Sequence, residues 1–203
     1  MTDMLTTRPI PPDRPLSGQP GPGQRMRRWG RAIAYDVLLV PVGVLTMADA
    51  VVDETETAVR RWRRLAQLLH HEEPKAAGKS TGGLGRVFGV GLLSAVVGLI
   101  SWFLVLLTLM AVVRGPFYGF VEDGPFGPGT WGGPTKAGAW AVHAAVAVPA
   151  IMLFLLALRG IAWLQAALVR GLDGTATSRW VLPATITLAT GGLMFFWSWL
   201  QQL

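Results

Sequence analysis

The sequence predicts an all-α integral membrane protein with three transmembrane helices, one further apolar segment that re-enters or crosses the bilayer, and amphipathic helices at the interface. Hydrophobic residues make up 51% of the 203-residue chain and mean hydropathy is +0.42, a balance that suits lipid better than water. Uncharged runs recur at 87–113, 137–158 and 181–200, each long enough for the ~20 residues a crossing needs. The net charge of +6 is gathered before residue 87 and in short segments between the runs, where the cytoplasmic flanks of membrane spans carry it. A pI near 10.7 would also suit nucleic acid, but charges placed beside apolar runs point to lipid headgroups, and no nucleic-acid partner is expected. With no Cys, disulfides, thiolate metal sites and Cys nucleophiles are excluded.

Residues 1–31 read as a disordered basic tail. Pro9, Pro11, Pro12, Pro15, Pro20 and Pro22 stand among Gly, Gln and Ser with little to bury. Arg25, Arg27, Arg28 and Arg31 then form a juxtamembrane anchor around Trp29.

The apolar stretch 32–52 is long enough to cross but contains Asp36, Pro41, Gly43 and Asp49. Both carboxylates lie toward its ends, where their insertion cost falls. Strongly basic segments flank it on both sides, so one crossing would place one of them outside. This favours a re-entrant or interfacial segment broken at Pro41, with a true crossing as the alternative. A signal peptide is a third reading, since Ala48-Asp49-Ala50 has an A-x-A pattern; the long basic lead and Asp36 at the head of the apolar core oppose it.

Residues 53–86 read as a cytoplasmic amphipathic helix, 53–73, followed by a linker. Acidic residues crowd the first turn, suiting the helix dipole, and Val59, Trp62, Ala66 and Leu69 recur at helical spacing. Arg60, Arg61, Arg63 and Arg64 would rest on lipid headgroups, or the helix would dock a partner. The linker's GKSTGGLG lacks the glycine and preceding strand of a phosphate-binding loop.

Residues 87–203 read as a three-span domain. The first span carries Gly85, Gly89, Gly91, Ala95 and Gly98, small residues at spacings that let helix backbones approach closely. The Gly-, Pro- and aromatic-rich loop 114–136 should be ordered, non-helical and external. The second span runs over 137–158, with Pro149 inside it. An interfacial segment follows at 159–179, with Ile161, Leu164, Leu168 and Leu172 on one stripe. Orientation follows from Lys and Arg: seven in 53–86 (Arg60, Arg61, Arg63, Arg64, Lys75, Lys79, Arg86), three in 159–179 (Arg159, Arg170, Arg179) and two in the loop (Arg114, Lys136). The basic segments are expected in the cytoplasm, with the protein multi-pass in the plasma membrane.

No catalytic constellation is present, and neither enzyme activity nor a cofactor is expected. His70-His71 beside Glu72-Glu73 has ligand chemistry, but adjacent helical residues diverge by ~100°, so a metal site is not expected either. His143 lies within the start of a membrane span, where an ionisable group raises functional suspicion. Trp140 shares its helix, and the loop brings Tyr118, Glu122, Asp123 and Trp131 to the same mouth. Aromatic rings beside carboxylates could cradle a cationic or amphiphilic ligand; an aromatic belt at the interface is the plainer reading.

TWGGPTKAGAWAVHA (130–144) resembles the sensor domain of actinobacterial membrane proteins, a module often placed before histidine kinases. AYDVLLVPVGVL (34–45) is similar to the Pro-centred segment that opens that domain, and RGIAWLQAALVRGLDG (159–174) to the amphipathic helix after its last spans. The resemblance implies a multi-helix sensor with an external or in-membrane ligand. The chain departs from it in having no output domain after the last span and a charged helix at 53–73 in place of membrane sequence, which leaves signalling to a partner. The expected function is therefore a small membrane sensor or accessory protein working with a membrane protein partner or as a homo-oligomer. The alternative is a subunit of a transport or respiratory complex.

Overall fold

The computed structural model describes residues 22–67, 69, 83–173 and 178–202. It is all-α, with no strand among these residues: α1 (Pro22–Val51), α2 (Thr55–Ala66), α3 (Leu84–Arg114), α4 (Tyr118–Val121), α5 (Lys136–Arg170) with a 3-10 turn after it, and α6 (Val181–Leu200). Four of these helices, α1, α3, α5 and α6, are long and apolar enough to cross a membrane.

The run at 32–52 is not broken at Pro41. It belongs to a continuous helix that begins at Pro22, so residues 22–31 are helical rather than part of a disordered tail. Pro41 has no N–H to donate to the Val37 carbonyl, and the Trp102 indole of α3 donates to that carbonyl instead, at 2.9 Å. A donor from a neighbouring helix is what makes an internal proline tolerable in lipid. Starting α1 ten residues early also places Asp36 near the helix midpoint rather than near its end.

α3 is the central helix and touches every other helix. α1 lies antiparallel on it: Val37 meets Trp102, Val40 meets Gly98, and Gly43 meets Gly91 and Ala95. A Cβ added to Gly43 would sit 2.7 Å from the Gly91 carbonyl oxygen, and one added to Gly98 would sit 2.7 Å from the Val40 nitrogen. Neither glycine can carry a side chain unless the helices separate. This contact replaces hydrophobic driving force, which is absent between helices in lipid, with close backbone packing.

α6 runs parallel to α3, seating Gly192 under Ile100 and packing Phe195, Phe196 and Trp199 around Phe103. α5 runs antiparallel to α3, joined by a Ser94 hydroxyl that donates to Gln165 Oε1 at 3.0 Å. Trp163 of α5 stacks on Trp180 at the head of α6, ring centres 5.4 Å apart.

The expected interfacial segment at 159–179 is instead largely the second half of α5, which runs unbroken through Arg159 and Gly160. Its stripe, Ile161, Leu164, Leu168 and Leu172, is buried in one core with Tyr35 and Leu39 of α1 and Val87 and Val97 of α3. The Arg159 guanidinium lies 5.5 Å over the Trp29 ring, a cation–π contact that gives the charge a partner on α1. With 35 residues α5 is ~52 Å long, more than the ~30 Å hydrocarbon core needs. Ahead of Arg159 it exposes Val146, Val148, Met152, Leu153 and Leu156, the face a lipid-exposed helix presents.

After α1 the chain reverses at Asp53, whose φ of 60° lies in the left-handed region that Asp tolerates better than most residues. α2 then folds back onto the bundle. Ala58, Val59, Trp62 and Leu65 are buried, Leu69 packs on the same core, and Arg61 pairs with Asp49 at the end of α1. The predicted apolar stripe therefore faces protein rather than the membrane surface.

Candidate functional site

The end of the bundle where α3 passes to α5 gathers aromatic rings about one imidazole. α3 stops at Gly115, which sits against Ala147 with no room for a side chain. One turn of helix, α4, follows within the loop expected to be non-helical. Gly119 lets that turn lie flat on Trp140, whose indole N–H donates to the Pro116 carbonyl at 2.9 Å. The loop closes where Gly132 and Gly133, both at positive φ, bring the chain over Gly138; Thr135 caps α5 by accepting from the Gly138 N–H at 3.1 Å.

These turns bring Tyr118 onto His143, ring centres 3.9 Å apart and planes 9° from parallel, with Trp131 at 6.5 Å and tilted by 60°. His143 Nδ1 lies 2.7 Å from the Ala139 carbonyl, a contact in which the ring N–H donates and Nε2 is left to act elsewhere. Trp140 packs edge-to-face against Phe120 rather than joining the imidazole. Asp123 is paired with Lys136 at 3.0 Å, and Glu122 is exposed and forms no ion pair among the described residues. Of the six residues expected to form one ligand cradle, the structure gathers Tyr118, Trp131 and His143. The three rings form a cluster able to receive a planar or amphiphilic group.

The expected packing glycines divide. Gly91 and Gly98 lie against α1, whereas an added Cβ at Gly85 or Gly89 would meet nothing within 4 Å. The four arginines of α2 also divide. Arg61 turns inward to Asp49, Arg60 is exposed beside Glu56 and Thr57, Arg64 is exposed, and Arg63 is half-buried. The His70-His71-Glu72-Glu73 cluster lies outside the described residues.

Thr46, Ser101 and Thr185 return their hydroxyls to carbonyls one turn back, which satisfies them locally. Tyr35, Asp36 and Gln165 are fully buried, and the Tyr35 hydroxyl, both Asp36 oxygens and Gln165 Nε2 have no hydrogen-bond partner among the described residues. An ionisable side chain inside a membrane bundle marks a functional position more often than a structural one. Its sequence signal was the acid within an apolar run; what concealed it was the early start of α1.

No family model matches the chain, and neither a curated protein nor a solved structure shows significant similarity to it.

Proposed function

We propose that the chain is a small multi-pass plasma-membrane sensor or accessory protein that passes an external or in-membrane signal to a membrane protein partner or a second copy through α2. The observation that supports this most is the placement of α2. It is docked at the end of the bundle opposite the Tyr118–His143–Trp131 cluster, by a buried apolar stripe and the Asp49–Arg61 pair, while Arg60 and Arg64 face outward. α5 carries His143 near one end and the buried Ile161–Leu168 stripe toward the other, and α1 touches both α5 and α2. This gives a contiguous physical route between the ends, and a route becomes a relay only when coupling is measured. The resemblance of residues 130–144 to bacterial sensor domains supports the same reading. In the orientation we favour, α2 is cytoplasmic and the aromatic loop external; the arginines of α2 support it, and those at the start of α1 oppose it.

Because the chain has no Cys, a spin label on Glu56→Cys reports α2 alone. His143→Ala or Trp131→Ala should change the label's mobility in lipid without lowering membrane abundance. Identical spectra in both variants would remove the relay. The alternative, a subunit of a transport or respiratory complex, draws on the exposed apolar faces of α5 and α6; a chain that purifies alone in gentle detergent would exclude it.

A further inference from the structure

Near their first turns α3 and α6 do not close on each other. Between Gly89 and Val96 on one side and Ile186 and Leu193 on the other lies a groove of about 810 Å³, within the ~300–1,000 Å³ that encloses most of a small ligand. Along its length the lining is apolar apart from Thr190, and its polar groups gather at one end, where Arg86, Ser178 and Arg179 stand. Both arginines are exposed, and among the described residues neither guanidinium forms an ion pair or hydrogen bond and no acidic residue lines the groove. α3 and α6 are parallel and begin at that same end, so the positive ends of two helix dipoles add to the two guanidinium groups. Leu182, Ile186 and Leu193 are about half exposed, so the groove is open on its α6 wall.

This division, an apolar trough with a doubly cationic mouth, matches one acyl chain lying beneath an anionic head. We propose that the groove holds an acyl chain of an anionic phospholipid whose phosphate rests on Arg86 and Arg179. A free anion would leave the apolar length unused, and a zwitterionic headgroup would bring its own cation against the arginines. Basic pockets between membrane helices select anionic headgroups in this way, with each arginine contributing about fivefold in affinity.

The experiment uses the full chain in nanodiscs of equal phosphatidylglycerol and phosphatidylcholine, followed by detergent exchange and native mass spectrometry of the lipid that stays bound. The wild type should retain phosphatidylglycerol over phosphatidylcholine by about fivefold for each arginine engaged. Arg86→Gln/Arg179→Gln should bring the ratio close to one. Gly89→Leu tests the trough separately: a Cβ there meets nothing within 4 Å, so the helix tolerates it, and the longer side chain occupies the groove and should displace both lipids. Equal retention of the two lipids by the wild type overturns the proposal, as does a preference that survives the double arginine variant. If Gly89→Leu leaves lipid bound but releases a second protein chain, the groove is a protein contact and the proposal falls.

Discussion

Pro41 and Trp102 form a pair whose logic is one of subtraction. The proline removes a donor from α1, and the indole supplies one from α3, on an outer seam where Val37 and Trp102 are both substantially exposed. An orphaned carbonyl in hydrocarbon is costly, so Trp102→Phe should destabilise the bundle by about 0.6–1.7 kcal/mol, the span from the average to the strongest hydrogen bond between membrane helices. In a Pro41→Ala background the backbone N–H restored at position 41 takes the carbonyl, and the same Trp102→Phe change should cost much less. Unfolding in mixed micelles measures the coupling; equal costs in the two backgrounds would show that the bond contributes nothing. Asp36 poses the reverse case. A buried polar group without a partner costs about 1–3 kcal/mol, so Asp36→Leu should raise the denaturation midpoint. A falling midpoint would mean that the carboxyl is engaged by a group it needs.

At the scale of helices, the contact between α1 and α3 sets the tolerance of each glycine. Gly43→Leu or Gly98→Leu drives a side chain into opposing backbone and should cost about 3 kcal/mol or more, whereas Gly85→Leu should fall within about 0.5 kcal/mol of wild type. Thermal denaturation of the three variants in detergent separates these outcomes. For α2, Trp62→Ala should free the helix from the bundle and make a Cys at position 59 reactive to a soluble maleimide; continued protection would mean that the helix is held by the Asp49–Arg61 pair. The spans of α3 and α6 were legible because uninterrupted apolar runs leave one physical solution, and their ends fall at Arg114 and just after Arg179. α1 was not legible, because the donor that excuses Pro41 comes from a distant part of the chain. The second half of α5 was misread for another reason. The stripe Ile161, Leu164, Leu168, Leu172 is the same whether it faces an interface or a protein interior, and periodicity alone does not say which. At the aromatic loop, sequence placed His143, Tyr118 and Trp131 at one mouth, and in the structure their rings touch, while the pairing of Asp123 with Lys136 depends on a loop closure that its glycines at positive φ define.

For the molecule as a whole, the decisive quantity is the number of crossings. If α1 crosses with α3, α5 and α6, the chain makes four passes and both termini lie on one side; three passes would put them on opposite sides. Reporter fusions at the N- and C-termini should therefore report the same compartment, and opposite compartments would return residues 32–52 to the interface. Four passes also set the basic residues at the head of α1 toward the end where α3 reaches Arg114, opposite the arginines of α2. The two ends are then less unequal in charge than loop lengths alone suggest, and orientation depends on which basic segment stays behind during insertion.

The bond between Val37 and Trp102 has a further consequence in time. Donor and acceptor are 65 residues apart, and at ~5–20 residues per second the ribosome needs roughly 3–13 s to deliver one after the other. For that interval the Val37 carbonyl of α1 precedes its donor, because the part of α3 that carries Trp102 has not yet been made. A nascent chain truncated before Trp102 should leave α1 shallow and accessible to water-soluble reagents, and one extended past α3 should not. α1 would thus enter the membrane in two acts, the second timed by the synthesis of its neighbour.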